Sequence, residues 1–236
     1  MRNYYFYYRT ILIKFIFKLV PINFFLSIID ILSIKESENL FIDAVQVSNS
    51  LKWDNQKIRF NVWDKYLSQN DLTTQKIQFL EFGVYEGLSI KYFAKKLTNE
   101  NNTFIGYDTF YGLPTNWQTA KKGLFSTDGK FPKVDDKRIN FVKGLFQESF
   151  DSSVIEKNCK TLVHFDADMY SSTLFLLFKL HEKLDEYYFI FDEFEGEELR
   201  ALKDYMKVYN VNVKIDFFSK FNGLVTVATG IIKTKI

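Results

Sequence analysis

The sequence predicts an α/β protein: a mostly parallel sheet with helices on both faces, a closing antiparallel C-terminal hairpin, and a helical N-terminal extension. Three observations carry this. From residue 76 onward, short apolar runs alternate with segments of helical spacing, and strands separated by helices pair in parallel. Near the end, Asn222-Gly223 separates two alternating runs, which is the turn chemistry of a hairpin. Residues 1–70 lack the alternation and are expected to form an aromatic, basic arm and a helical extension ahead of a domain over 71–236.

Taken in order, residues 36–70 read as helical with polar breaks, anchored by Trp53, Phe60 and Trp63. Residues 76–83 form an apolar run ending in glycine. Residues 89–97 place Ile90, Phe93, Ala94 and Leu97 on one helical face. Strands are expected over 103–108, 139–144, 161–166 and 187–192, with a long Gly- and Pro-bearing loop before the 139–144 strand. Helices are expected over about 172–184 and 197–209. The runs 213–218 and 224–229 then make the hairpin.

Composition narrows the function classes. The 236 residues are 47% hydrophobic and 25% charged, with a net charge of +2, which excludes a disordered chain and gives no broad electrostatic case for nucleic acid. The single cysteine, Cys159, rules out an intramolecular disulfide and a thiolate metal cluster. Residues 1–32 carry Arg2, Arg9, Lys14 and Lys18 against Asp30, among many aromatics. Their longest uncharged run, 19–29, contains Pro21 and falls short of the roughly 20 apolar residues of a membrane span. No signal-peptide cleavage site follows it. The expectation is a cytoplasmic protein whose arm packs on the domain, joins a homodimer, or rests peripherally on the anionic inner face of a membrane.

Chemistry is expected at the carboxyl ends of the strands, where open α/β sheets bind ligands. Gly83 and Gly87 after the first strand permit a tight turn and close approach of backbone to a ligand. Their spacing is not that of the dinucleotide fingerprint G-x-G-x-x-G, and no phosphate-loop lysine follows. Asp108 ends the next strand, about 20 residues past the glycine loop, where a carboxylate accepts hydrogen bonds from ribose hydroxyls. Asp166, Asp168, Asp192 and Glu193 end two further strands. Carboxylates brought so close repel one another, a conflict that a hard cation such as Mg²⁺ resolves. The alternative is that Asp168, Ser171 or Glu193 caps the following helix. His164 reads as a core residue and His181 as a surface one.

Several blocks in order resemble a known family. They are Glu81-Phe-Gly-Val-Tyr-Glu-Gly-Leu-Ser89, Tyr107-Asp-Thr-Phe-Tyr-Gly-Leu-Pro114, Gly123-Leu-Phe-Ser-Thr-Asp-Gly129, Val142-Lys-Gly-Leu-Phe146, His164-Phe-Asp-Ala-Asp-Met-Tyr-Ser-Ser-Thr173 and Phe191-Asp-Glu-Phe194. The set is similar to class I S-adenosylmethionine-dependent methyltransferases of the macrocin and mycinamicin O-methyltransferase type, over about residues 76–232. The resemblance implies a Rossmann-like fold and methyl transfer to a sugar hydroxyl of a glycan or glycosylated metabolite. It implies that Glu81, Gly83, Tyr85, Gly87 and Ser89 line the methionine part of the cofactor. Asp108, Thr109 and Phe110 would hold the ribose; Gly144, Leu145 and Phe146 would border the adenine. Asp166, Asp168, Asp192 and Glu193 would hold Mg²⁺, with Asp166 in contact with cofactor as well and Asp168 as general base. Residues 126–128 would lie in a loop covering cofactor or substrate. The acidic stretch 195–198 and the N-terminal arm have no counterpart in the family pattern and are expected to touch the acceptor. The competing reading takes Asp166-Ala-Asp168 as the D-x-D motif of a metal-dependent glycosyltransferase holding a nucleotide sugar.

Overall fold

The computed structural model describes residues 38–50, 55–117, 119–151, 153–221 and 224–235. The N-terminal arm, Trp53 and the Asn222-Gly223 turn lie outside the described residues. The described residues hold eight strands: β1 (Val45–Ser50), β2 (Ile77–Phe82), β3 (Thr103–Asp108), β4 (Ile139–Lys143), β5 (Lys160–Phe165), β6 (Glu186–Phe191), β7 (Asn212–Phe221) and β8 (Leu224–Lys233). The helices are α1 (Asn55–Gln69), α2 (Leu88–Lys96), the short α3 (Phe146–Ser149), α4 (Tyr170–Lys183) and α5 (Leu199–Val208). A π-helical turn, Phe194–Glu198, leads into α5.

The strands form one sheet in the order β1-β7-β8-β6-β5-β2-β3-β4. Among the described strands of this sheet, only the pairings of β8, with β6 and with β7, are antiparallel. From β2 the chain builds outward through β3 and β4, then returns to the other side of β2 with β5 and β6. The order therefore switches between β2 and β5, and the ligand crevice of such a sheet opens above that point.

The expected alternation is present, with one correction. Residues 45–50, read as helical, are the edge strand β1, paired in parallel with β7 from Val45↔Phe217 to Ser50↔Phe221. Val45 and Val47 already alternate with polar residues, but a run of six is too short to declare itself. The unpaired edge of the ten-residue β7 supplies its hydrogen bonds, and Ser48 Oγ lies 3.0 Å from Ser219 Oγ.

Side-chain parity divides the core into two layers. Leu80, Phe82, Val163, Phe165, Phe189 and Phe191 point to the face covered by α4 and α5. Ile77, Phe79, Leu162, Tyr188 and Ile190 point to the face covered by α1 and α2, against Trp63, Tyr66 and Phe93. Strand side chains alternate between faces, so Glu81, His164 and Asp192 continue the second set and lie beneath α1 at the carboxyl end of the sheet.

Candidate active site

Above the β2/β5 switch lies a cavity of about 560 Å³, within the size range of small-ligand sites. Of the residues expected to bind a cofactor, Gly83, Tyr85, Asp108, Thr109, Leu145, Phe146 and Asp166 line it. Glu81, Gly87, Ser89, Phe110 and Gly144 are not among the lining residues. Phe110 is fully buried and packs edge-on against Phe131, with ring centroids 4.9 Å apart. Of the expected cation ligands, Asp168 and Glu193 join Asp166 on the wall, while Asp192 lies behind it, 2% exposed.

Asp108 organises the glycine loop. Its Oδ2 accepts hydrogen bonds from the backbone N–H groups of Val84 at 2.8 Å and Tyr85 at 2.9 Å, and its Oδ1 accepts from Phe110 N–H at 2.7 Å. The loop also requires Gly83. Its φ is +97°, and a Cβ there would overlap the carbonyl oxygen of Asp166, so only glycine lets the β2 and β5 loops meet. Tyr85, Phe110 and Asp168 hold positive φ values of 49°, 58° and 58° without being glycine. Such conformations cost energy, persist where surrounding structure enforces them, and cluster at functional sites.

The helix-capping alternative is not what the structure adopts. The N-terminus of α4 has no cap from its own first residues; Glu197 Oε2 instead accepts the Tyr170 N–H at 2.7 Å from across the fold. Glu193 makes no cap bond to the following turn. Asp168 and Glu193 thus keep their place on the cavity wall.

Behind the wall, cross-strand partners Glu81 and His164 meet, with His164 Nδ1 2.9 Å from Glu81 Oε1. Burial holds the His164 pKa down to about 4, so the ring is neutral. Its Nε2 has no hydrogen-bond partner and faces Asp192 Oδ2 at 3.9 Å. Asp192 in turn receives Arg59 from α1, Nη1 to Oδ2 at 2.8 Å. Burial opposes the Arg59 charge, but Asp192, Asp166, Glu193 and Asp168 outweigh it and hold the guanidinium above its ordinary value. Burial, then the charges of Asp166 and Glu193, pushes Asp168 up to about 8. Burial also holds Asp192 well above the carboxylate range, with Arg59 opposing.

Arg59 was not among the residues singled out from the sequence, although a signal existed. It shares a helical stripe with Val62, Trp63 and Tyr66 at spacings of three, four and seven, and a charge on an otherwise buried stripe needs a partner. The 126–128 loop contributes none of its three residues to the cavity wall; Phe125 beside it does, and packs edge-on to Tyr85 at 5.6 Å. The 195–198 stretch does not line the cavity either.

The arrangement fits a cationic nucleoside cofactor. The wall carries Asp108, Asp166, Asp168 and Glu193 against Arg59 as its one basic residue, with Leu113, Phe125, Leu145 and Phe146 as apolar surface. A sulfonium is favoured by that imbalance, and a flat heterocycle by the apolar side. The residues also fit a divalent cation. Ligand atoms of His164, Asp166 and Asp192 lie within 4.8 Å of one another, and the carboxylate crowding that raises Asp168 is what an oxygen-preferring cation relieves.

A family profile described as Macrocin-O-methyltransferase (TylF) matches residues 69–221. Among solved structures, the calicheamicin methyltransferase CalS11 is similar with a TM-score of 0.51 and 19% identity, over 75% of this chain and 83% of that one. The O-methyltransferase NovP is similar with a TM-score of 0.50 and 15% identity, over 77% of this chain and 79% of that one. At these identities the two structures speak for the fold. No curated protein matches the chain by sequence. Among the described residues, no helix is long and apolar enough to cross a membrane.

Proposed function

We propose that this chain, which belongs to the macrocin O-methyltransferase family and is an S-adenosylmethionine-dependent O-methyltransferase, methylates a sugar hydroxyl of a glycan or glycosylated metabolite with Mg²⁺ assistance. The observation that carries the reading is that Asp166, Asp168 and Glu193 line one cavity together with the apolar Leu113, Phe125, Leu145 and Phe146. The family match leaves no support for the nucleotide-sugar reading of Asp166-Ala-Asp168.

When bound, S-adenosylmethionine supplies an electrophilic methyl group on sulfur, and Mg²⁺ acidifies a coordinated hydroxyl. The chain's own residues do the rest. Asp108 holds the glycine loop by its three N–H bonds, which leaves one lone-pair site, on Oδ1, for a ribose hydroxyl. Leu145 and Phe146 give the adenine an apolar border. Asp166, Asp168 and Glu193, with Asp192 and His164 behind them, are the groups placed to hold the cation. Tyr85 and Phe125, 41% and 42% exposed, offer ring surfaces for the apolar face of a sugar. Asp168 takes the hydroxyl proton. Fixing the acceptor oxygen in line with the methyl carbon supplies roughly 7–11 kcal/mol of barrier reduction.

A base must be deprotonated to act. With chelator present, Asp168 at about 8 is mostly protonated at neutral pH, so activity is expected to rise with pH through about 8. A bound cation favours the ionised carboxylate and moves that limb to lower pH. Profiles of kcat/KM against pH, with Mg²⁺ and with EDTA, check this; superimposable profiles would contradict it. The acceptor class is tested by transfer of labelled methyl from S-adenosylmethionine to paired glycosides and their aglycones. Label on glycosides alone supports the proposal, and label on aglycone hydroxyls alone overturns it.

A further inference from the structure

Among the described residues lining the cavity, Asp108, Asp166, Asp168 and Glu193 stand against Arg59 as the one base. The acids suit the sulfonium and the ammonium of S-adenosylmethionine. They oppose its third charged group, the α-carboxylate, and Arg59 is the side chain on that wall that offsets them. The Arg59 side chain is 16% exposed, and its Nη1 lies 2.8 Å from Asp192 Oδ2. Its Nε is buried and has no hydrogen-bond partner. A guanidinium carries five N–H donors in a rigid fork, a shape that matches a carboxylate. The ion pair with Asp192 fixes that fork in place. A counter-ion for Asp192 alone could stay behind the wall, where Asp192 lies 2% exposed; Arg59 reaches the cavity.

The sheet order puts Arg59 where the carboxylate would fall. With the adenine bordered by Leu145 and Phe146 beyond β4, the ribose at Asp108 after β3 and the methionine chain over Gly83 after β2, the ligand runs across the sheet toward β5 and β6. From β3 to β5 is two strand spacings, about 10 Å, which the extended thioether and aminobutyrate chain covers. Its end then meets Asp166, just past β5, and Arg59, bonded to Asp192 just past β6. We propose that Arg59 binds the α-carboxylate of S-adenosylmethionine and ties it to Asp192. The proposal rests on reading this crevice as the S-adenosylmethionine site, and it adds a cofactor ligand from α1, outside the strand ends.

The test is calorimetric titration of the full chain with S-adenosylhomocysteine, its α-carboxamide and 5′-methylthioadenosine, which lacks the amino-acid end. EDTA is present, so that no cation competes with Arg59 for Asp192. The carboxamide is expected to bind the unaltered chain at least about tenfold more weakly than S-adenosylhomocysteine, the worth of one charge-assisted hydrogen bond. Arg59→Gln should lose at least as much S-adenosylhomocysteine affinity and bind 5′-methylthioadenosine as the unaltered chain does. Arg59→Gln combined with Asp192→Asn removes both charges of the ion pair, and its S-adenosylhomocysteine affinity should stay low. Recovery in that double variant would mean that Arg59 acts only by neutralising Asp192, and overturns the proposal. Unchanged S-adenosylhomocysteine affinity in Arg59→Gln overturns it too, as does an equal loss of 5′-methylthioadenosine. If Arg59→Gln fails to fold, the carboxamide decides on the unaltered chain: affinity equal to that of S-adenosylhomocysteine overturns the proposal and leaves methyl transfer standing. A chain that binds none of the three ligands overturns the reading of the crevice as the cofactor site, and the proposal with it.

Discussion

Asp108→Ala is expected to lower S-adenosylhomocysteine affinity by roughly a hundredfold or more. Three backbone N–H groups, of Val84, Tyr85 and Phe110, lose their acceptor at once. A hydrogen bond to a charged group contributes about 1.5–3 kcal/mol, so losing two of them at the lower figure already costs about 3 kcal/mol, or two orders of magnitude in binding. The loop that Gly83 allows against Asp166 would then have no anchor on the β3 side. Asp108→Asn should do little better. Both carboxylate oxygens accept, and an amide nitrogen in either place would face an N–H donor. Calorimetric titration with S-adenosylhomocysteine reads the effect, and an affinity within a few-fold of the unaltered chain would contradict this role for Asp108.

Asp168→Asn should do the opposite: leave S-adenosylhomocysteine affinity nearly unchanged and lower kcat by about 10²–10⁴, the usual contribution of a positioned general base. The variant keeps the shape of the side chain and removes the proton acceptor. It also removes one of the charges that raise Glu198. Its unfolding midpoint in EDTA should therefore not fall, which separates a chemical role from a structural one. Single-turnover methyl transfer with saturating cofactor is the measurement. A rate within threefold of the unaltered chain would remove Asp168 as the base.

The fold was legible where periodicity was long. The strand–helix alternation from β2 to α5 and the terminal hairpin stand in the sequence as runs of contrasting period. Strand β1 was not legible, because six residues with two valines take their conformation from the β7 edge and not from their own pattern. The site was legible where chemistry sits at strand ends in sequence: Gly83, Asp108, Asp166, Asp168, Asp192 and Glu193 could be placed by topology alone. Which of them reach the cavity was not. Parity puts Glu81 and Asp192 on the face beneath α1, while Asp166, Asp168 and Glu193, in the loops beyond the strands, line the cavity. Arg59 belongs to a helix far away in sequence, and only packing of the Trp63 stripe onto the sheet carries it to Asp192. Glu198, in the acidic stretch expected to touch the acceptor, is 1% exposed.

The central claim is that the β2/β5 crevice binds S-adenosylmethionine as methyl donor. The most direct measurement is calorimetric titration of the full chain with S-adenosylmethionine and S-adenosylhomocysteine, beside NAD⁺ and a UDP-sugar, each with and without Mg²⁺. The account predicts one-to-one binding of the two sulfur ligands, lost in Asp108→Ala, and no binding of the other two. Saturable binding of a UDP-sugar that requires Mg²⁺, with no heat from S-adenosylmethionine, would contradict it and return Asp166 and Asp168 to a sugar-nucleotide site.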